Sequence, residues 1–321
     1  MTSSRINRFG DWTNDKSLFQ SGKLGGSRPF FEGDNVRERM NQVRKSIIHI
    51  RHNWNQFDQL MDNLRILVTE NCLSSENDTE LTTRLSKLFG SRRNWIDRLL
   101  PNERVADDYD AVRLYTSEKG YEQIYSFMNL VFRSELSVDF EHIVNSVVFL
   151  VELINIDLYN YRYSPSAEIQ DFNGDVYRGI CLTEQDIQAF SKICQHPLSE
   201  RYIAIPLGFH SASLKRCKAE SFIRSELNKD SSRVPLLWKI HVISLDDKLL
   251  RVYRNLFPTS IVSSICAVPV SGLSDFPEEE EVLLRGPFFQ VLNFYEEGMI
   301  EGRPLYVLEV VMLNSNRDHP S

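Results

Sequence analysis

The sequence predicts an α+β protein, with helices gathered in its first half and strands in its second. Two observations carry this. A seven-residue apolar repeat runs through residues 36–68, and short β-rich apolar runs recur from residue 176 onward without alternating helices between them. The 321 residues are 42% hydrophobic and 25% charged, ordinary for a globular chain with a sizeable core. Three segments follow: an irregular leader over 1–34, a helical, heptad-patterned region over 35–104, and a larger α+β unit over 105–315.

The leader lacks periodicity and contains Lys23-Leu24-Gly25-Gly26-Ser27-Arg28-Pro29. From Val36 one series runs Val36, Val43, Ile50, Phe57, Leu64. A second runs Met40, Ile47, Trp54, Met61, Val68, offset by four. Together they form an a/d seam uninterrupted by Gly or Pro, and Asp34 or Asn35 can cap its start. Such a seam is buried either in a coiled-coil dimer or against helices of the same chain. Leu81-Leu85-Leu88-Phe89 and Trp95-Ile96-Leu99-Leu100 offer an intramolecular partner, and this arrangement is favoured because five heptads make only a short dimer seam.

Pro101 and the acidic Asp107-Asp108-Tyr109-Asp110 mark a junction. A helix is expected from about Gly120 to Phe132, with Tyr121, Ile124, Met128 and Val131 on one face, and another over Phe140 to Leu153. After Tyr159 the texture is strand-like. Strands are expected at Val176 to Arg178, Tyr202 to Pro206, Leu236 to Ile243, Ile261 to Val270, Glu281 to Leu284, Phe288 to Asn293 and Leu305 to Leu313.

Charge and composition exclude several function classes. Thirty-seven Lys and Arg against 44 Asp and Glu give a net charge of −7, unlike the basic field of a nucleic-acid binder. The most apolar run, Ile143 to Ile156, is interrupted by Asn145, Ser146, Glu152 and Asn155 and falls short of the roughly 20 residues that span a bilayer. With no apolar signal-peptide core at the N-terminus, a soluble cytoplasmic protein is expected. On that reading the Asn77-Asp78-Thr79 sequon has no role. Cys72, Cys181, Cys194, Cys217 and Cys266 are odd in number and contain no C-x-x-C pair, so reduced thiols are expected and no zinc site. His49, His52, His142, His196, His210 and His241 show no metal-ligand spacing. His210 adjoins Ser211, but neighbours on a strand point to opposite faces, which disfavours a nucleophile–base pair. No P-loop and no G-x-G-x-x-G is present.

Three stretches can carry chemistry. Asp175-Val176-Tyr177-Arg178-Gly179 sets a guanidinium in an apolar strand, where its rigid fork matches phosphate oxygens, beside a glycine that lets backbone approach a ligand. Gly208-Phe209-His210-Ser211-Ala212-Ser213 pairs two serines at a strand end, a position that more often serves turn hydrogen bonds. Phe276-Pro277-Glu278-Glu279-Glu280-Glu281-Val282-Leu283-Leu284 runs an acidic stretch into a strand. Period-two geometry there puts Glu279 and Glu281 on one side. Two carboxylates aimed at one place repel and need a reason to coexist.

Taken in this order, the Arg, the Ser-x-Ser and the Glu-x-Glu resemble the R-S-E class of ADP-ribosyltransferases, the arginine-specific enzymes and related bacterial toxins. Val112-Arg113-Leu114-Tyr115-Thr116 resembles the helical lobe before the sheet in the animal enzymes. Glu279 to Leu284 with Phe289-Gln290-Val291 resembles their last motif, so the likeness covers roughly 105–313. It implies a split β-sandwich with a helical lobe, and NAD as co-substrate without a metal. Arg178 would hold the diphosphate and the Gly179 backbone the nicotinamide carboxamide. Ser211, with Ser213 beside it, would position Glu281, which would stabilise the ribosyl cation. Glu279 would orient or deprotonate the acceptor, a glutamate there going with arginine as target, and Phe276 would face the acceptor protein. The acidic run leaves the register open, and Glu279 and Glu281 are preferred because Val282-Leu283 should follow the catalytic glutamate. Ala212 stands where the class commonly has Thr, and Leu284-Arg285-Gly286-Pro287 replaces Ile-Pro-Pro, which reads as loop variation.

The resemblance therefore implies transfer of ADP-ribose to arginine side chains of an acceptor protein, without nucleic-acid or membrane partners. Alternatives are an NAD glycohydrolase, an inactive NAD- or ADP-ribose-binding protein acting through its N-terminal helices, and a coiled-coil scaffold.

Overall fold

A computed structural model describes residues 45–46, 49–50, 56–72, 79–90, 109–125, 127–128, 131, 141–162, 172–198, 201–204, 209–244, 266–285 and 288–314. Its helical part contains α1 (Phe57–Asn71), α2 (Thr79–Gly90), α3 (Asp110–Tyr115), a π-helical turn over Gly120–Tyr125 and α4 (Glu141–Arg162). Of the seam positions, Ile50, Phe57, Met61, Leu64 and Val68 are described and all are buried; the others lie outside the described residues. Among the described residues α1 packs chiefly on α4, while the Leu81–Phe89 segment, as α2, packs on α3 and meets α1 where Arg65 lies over the Phe89 ring at 5.3 Å. Phe57 meets Phe149 edge to face at 5.4 Å. The reason is the apolar supply: α4 buries side chains round most of its circumference, from Val144 to Tyr161, whereas α2 offers only the stripe Leu81, Leu85, Leu88. Trp95 to Leu100 lie outside the described residues.

The expected helix over Phe140 to Leu153 extends to Arg162. Three of its buried polar residues, Glu152, Asn155 and Asp157, are held by hydrogen bonds. Asp157 Oδ2 accepts the Ala111 and Val112 N–H groups at 2.8 and 3.2 Å, capping the start of α3. Asn155 donates to Glu152 at 3.0 Å. Tyr121, Ile124, Met128 and Val131 are buried as expected, although the turn that begins at Gly120 is π-helical.

The strands are β1 (Gly174–Leu182), β2 (Tyr202–Ala204), β3 (His210–Ser213), β4 (Val234–Ser244), β5 (Cys266–Pro269), β6 (Glu281–Arg285), β7 (Phe288–Ile300) and β8 (Arg303–Asn314). They form one sheet in the order β2-β7-β8-β4-β1-β3-β6-β5, with β4 and β8 parallel and the other neighbours antiparallel. The resemblance implied two sheets. Hydrogen bonding here is continuous, yet β1 and β3 share the single pair Tyr177↔Ser213, so the sheet is nearly divided at that point.

The strand half is not free of helices. Among the described residues two α-helices interrupt it, α5 (Glu184–Ile193) and α6 (Arg216–Lys229). Thr183 and Asp186 close a capping box at the start of α5, and Ile187, Phe190 and Ile193 form its buried stripe. The strand-like texture after Tyr159 hid both helices, because each is short and flanked by β-rich runs. α5 shares a core with Trp238, which meets Phe190 and Phe289 edge to face, and α6 covers the other face through Ala219, Ile223 and Leu227. A third core joins the helical elements on both sides of residue 105 with Phe209, Val268, Val270, Leu273 and Leu283 of the smaller sheet part. No described helix is long and apolar enough to cross a membrane.

Candidate active site

The near-division of the sheet is where the candidate residues meet. Arg178 lies on β1 opposite Trp238, and its Nη1 donates to the Ser211 carbonyl of β3 at 2.6 Å, bridging the strands just beyond their one ladder pair. Gly179 lies on the other face of β1, under α6. A Cβ there would stand 2.0 Å from the Ala219 carbonyl oxygen, so helix packing alone demands glycine.

On the other side of the division, β3 and β6 pair with Ser213 opposite Glu281 and Ser211 opposite Leu283. Directly opposed residues share a face, and so do residues two apart. Ser211, Ser213, Glu281 and Leu283 therefore lie on one face, and Leu283 belongs to the core shared with the helices. The direct neighbour of Glu281 is Ser213, with Ser211 on the diagonal. Ser213 also does the work expected of a serine at a strand end. Its hydroxyl donates to the Glu279 carbonyl at 2.6 Å and accepts the Lys215 N–H at 2.9 Å. The Ser211 hydroxyl is 1% exposed and has no hydrogen-bond partner among the described residues. His210 lies on the opposite face, across from Leu284.

The acidic run does not behave as a strand. Pro277–Glu279 forms a 3-10 turn, Glu280 takes left-handed backbone angles (φ 46°, ψ 54°), and β6 begins only at Glu281. Period-two spacing therefore does not relate Glu279 to Glu281, which corrects the sequence expectation. What distinguishes the four glutamates is burial. Glu279 and Glu281 are 3% and 0% exposed, whereas Glu278 is exposed and Glu280 is half-buried in an ion pair with Lys215 at 2.7 Å. Phe276, half-buried, opens the turn, and its N–H donates to Ser274 Oγ at 3.1 Å.

Sequence reasoning passed over one residue at this place. Arg285, read as part of a variable loop, is the last residue of β6. It is buried, pairs with Glu152 of α4 at 3.1 Å and lies over the Phe209 ring at 5.5 Å. Its charge and its Gly-Pro neighbours signal a surface loop, and the partner is 133 positions away in the chain.

Arg178, Ser211, Ser213, Glu279 and Glu281 are each buried around this division of the sheet, where charges interact more strongly than in water. The guanidinium can meet a phosphate, and a carboxylate can stabilise a developing cation. Nearby, burial, and after it the neighbouring Tyr115 and Asp157, pushes the Tyr125 hydroxyl well up. Among the described residues no group of three or more His, Cys, Asp or Glu could hold a metal ion.

No protein-family model matches this sequence. No curated protein matches it either. Solved structures similar to the chain include the Vis toxin, an ADP-ribosyltransferase from Vibrio splendidus, at 14% identity over 75% of this chain and 90% of that one, with a TM-score of 0.39. They also include the ADP-ribosyltransferase HopU1 of Pseudomonas syringae pv. tomato DC3000, at 13% identity over 78% and 97%, with a TM-score of 0.39. A third is an ADP-ribosyltransferase from Clostridium botulinum, at 12% identity over 75% and 98%, with a TM-score of 0.36. Values of this size assign neither family nor activity.

Proposed function

We propose that this chain is a mono-ADP-ribosyltransferase that transfers ADP-ribose from NAD to arginine side chains of an acceptor protein. The observation that carries the reading is the meeting of its three motifs at one point: Arg178 bonded across the sheet division to Ser211, and Ser213 opposed to Glu281. A buried Ser211 hydroxyl with no partner among the described residues suits a place that receives a polar ligand.

In the reaction, the bond between ribose C1′ and the nicotinamide nitrogen breaks and its electron pair leaves with nicotinamide. Positive charge then builds on the ribosyl carbon. Arg178 is the residue for the diphosphate, and the Gly179 backbone for the nicotinamide carboxamide. Glu281, held beside Ser213 and Ser211, stabilises the ribosyl cation electrostatically. Glu279 takes the proton that the attacking guanidinium nitrogen gives up, since a guanidinium is otherwise too basic to act as a nucleophile. Phe276, at the start of the turn that carries Glu279, is the residue for contact with the acceptor protein.

The test compares labelled NAD with agmatine or poly-arginine for the natural chain, Glu281→Ala and Glu279→Ala. Glu281→Ala is expected to lose both NAD cleavage and transfer, by on the order of 10²- to 10³-fold. Glu279→Ala is expected to lose transfer while keeping NAD hydrolysis by water. Neither activity in the natural chain, at high enzyme concentration and long times, sinks the proposal. Hydrolysis without transfer would make it an NAD glycohydrolase.

A further inference from the structure

The turn over 271–279 carries Phe276 and Glu279, and Arg84 of the N-terminal helical region reaches it. Arg84 of α2 donates from Nη2 to Asp275 Oδ2 at 2.7 Å, from Nη1 to the Arg113 carbonyl of α3 at 3.3 Å and from Nε to Glu80 Oε1 at 3.1 Å. One planar fork thus joins three elements, a geometry that a lysine cannot reproduce. Asp275 immediately precedes Phe276. Other parts of the turn are held from elsewhere: Leu273 is buried and its carbonyl accepts from Thr116 at 3.4 Å, and the Glu279 carbonyl accepts from Ser213. Between these anchors lie short local bonds, from Phe276 N–H to Ser274 Oγ and from Glu279 N–H to the Phe276 carbonyl, and a contact from Lys215 Nζ to the Glu278 carbonyl at 3.5 Å.

We infer that Arg84 is a positioning residue, which fixes the acceptor-side turn by clamping Asp275 to the N-terminal helices. This rests on the transferase reading above, and it gives residues 79–90 a part in that reaction. The clamp is open to solvent. A cleft of about 620 Å³ lined by α2, α3 and Asp275 leaves Arg84 24% and Asp275 35% exposed. Ion pairs this exposed couple weakly, so the expected effect is a few-fold change in how the acceptor is received, without loss of the fold. The position of Glu279 relative to a bound acceptor matters more than the strength of the pair, because small displacements at a reacting centre carry large rate costs.

The experiment uses the full chain with Arg84→Ala, Arg84→Lys, Arg84→Asp and the charge exchange Arg84→Asp with Asp275→Arg. Lys229→Ala serves as a surface control, its ion pair with Glu226 lying within α6. Hydrogen exchange of the peptide 271–280 reads the clamp without requiring activity, and KM for agmatine against kcat reads its consequence. Arg84→Ala and Arg84→Asp are expected to speed exchange in 271–280 but not in β6. They should also raise KM for agmatine by up to about fivefold, with less change in kcat. The charge exchange should recover most of both, Arg84→Lys only part, and Lys229→Ala should change neither.

Unchanged exchange in Arg84→Ala, or a charge exchange that restores nothing, overturns the clamp. Faster exchange with an unchanged KM overturns the positioning role. A natural chain without transfer activity defeats the transferase reading and with it the positioning role, while exchange still decides whether the clamp exists.

Discussion

Arg285 and Glu152 form an ion pair sealed between β6 and α4, with Arg285 Nη2 3.1 Å from Glu152 Oε1 and neither side chain more than 2% exposed. The strand that ends in Arg285 begins with Glu281, so this pair sets how the smaller sheet part sits on the helices. Asn155 donates to the same Glu152 oxygen, and Phe209 lies against the guanidinium.

Breaking that pair from one side leaves a buried charge without its counterion. Glu152→Ala and Arg285→Ala are each expected to destabilise the protein by about 3–5 kcal/mol, read from urea midpoints. Replacing both at once, as Glu152→Leu with Arg285→Met, should cost less than the sum of the single changes. Additive losses would show that the two do not act as a unit.

Gly179 offers a steric test. An added methyl meets the Ala219 carbonyl oxygen of α6 at 2.0 Å, and backbone cannot swing aside as a long side chain can. Gly179→Ala should lower stability by about 1–3 kcal/mol and should impair NAD cleavage as well, since α6 presses on β1 one residue from Arg178. A variant with unchanged midpoint and activity would show that the helix yields freely.

A surface cluster on β1, β4 and β8 predicts a pH dependence. Lys239 Nζ lies 2.9 Å from Glu309 Oε1 and 4.0 Å from Asp175, and His241 bridges Asp175 and Glu309 at 2.7 and 3.3 Å. The hydrogen bond from Lys239, more than the His241 contact, holds the Glu309 carboxyl below its ordinary value of 4.5. The same bond raises the Lys239 ammonium above its ordinary 10.5.

A depressed carboxyl contributes stability above its unfolded value and loses it as pH falls through the folded one. A raised ammonium contributes below its unfolded value and loses it as pH rises through the folded one. The stability difference between the natural chain and Glu309→Gln should therefore shrink as pH falls below 4.5 and as it rises above 10.5. Thermal melts across that range check it. A difference that grows in acid would contradict the assignment.

Much of the site was legible because its signals are local. An arginine in an apolar strand followed by glycine, two serines at a strand end and an acidic run entering a strand are each visible within a few residues. Their order carried the resemblance. The heptad pattern likewise marked Ile50, Phe57, Met61, Leu64 and Val68 as buried. The partner of that seam was not legible, since the same stripe fits a second chain, α2 or α4. The choice depends on which surface is most apolar once the chain has closed on itself.

By itself, the sequence determined which stretches carry candidate chemistry and where most of the described strands run, because side-chain periods of 3.6 and 2.0 are properties of a single segment. Only the tertiary structure decided that Ser213 is the residue opposite Glu281 and that Glu280 turns the chain before β6 starts. It alone decided that Arg285 is buried against Glu152 and that Arg84 reaches Asp275. These are pairings between distant segments. Strand register, ion-pair partners and the end of a strand are set by what lies across from a residue, and no local period encodes that neighbour.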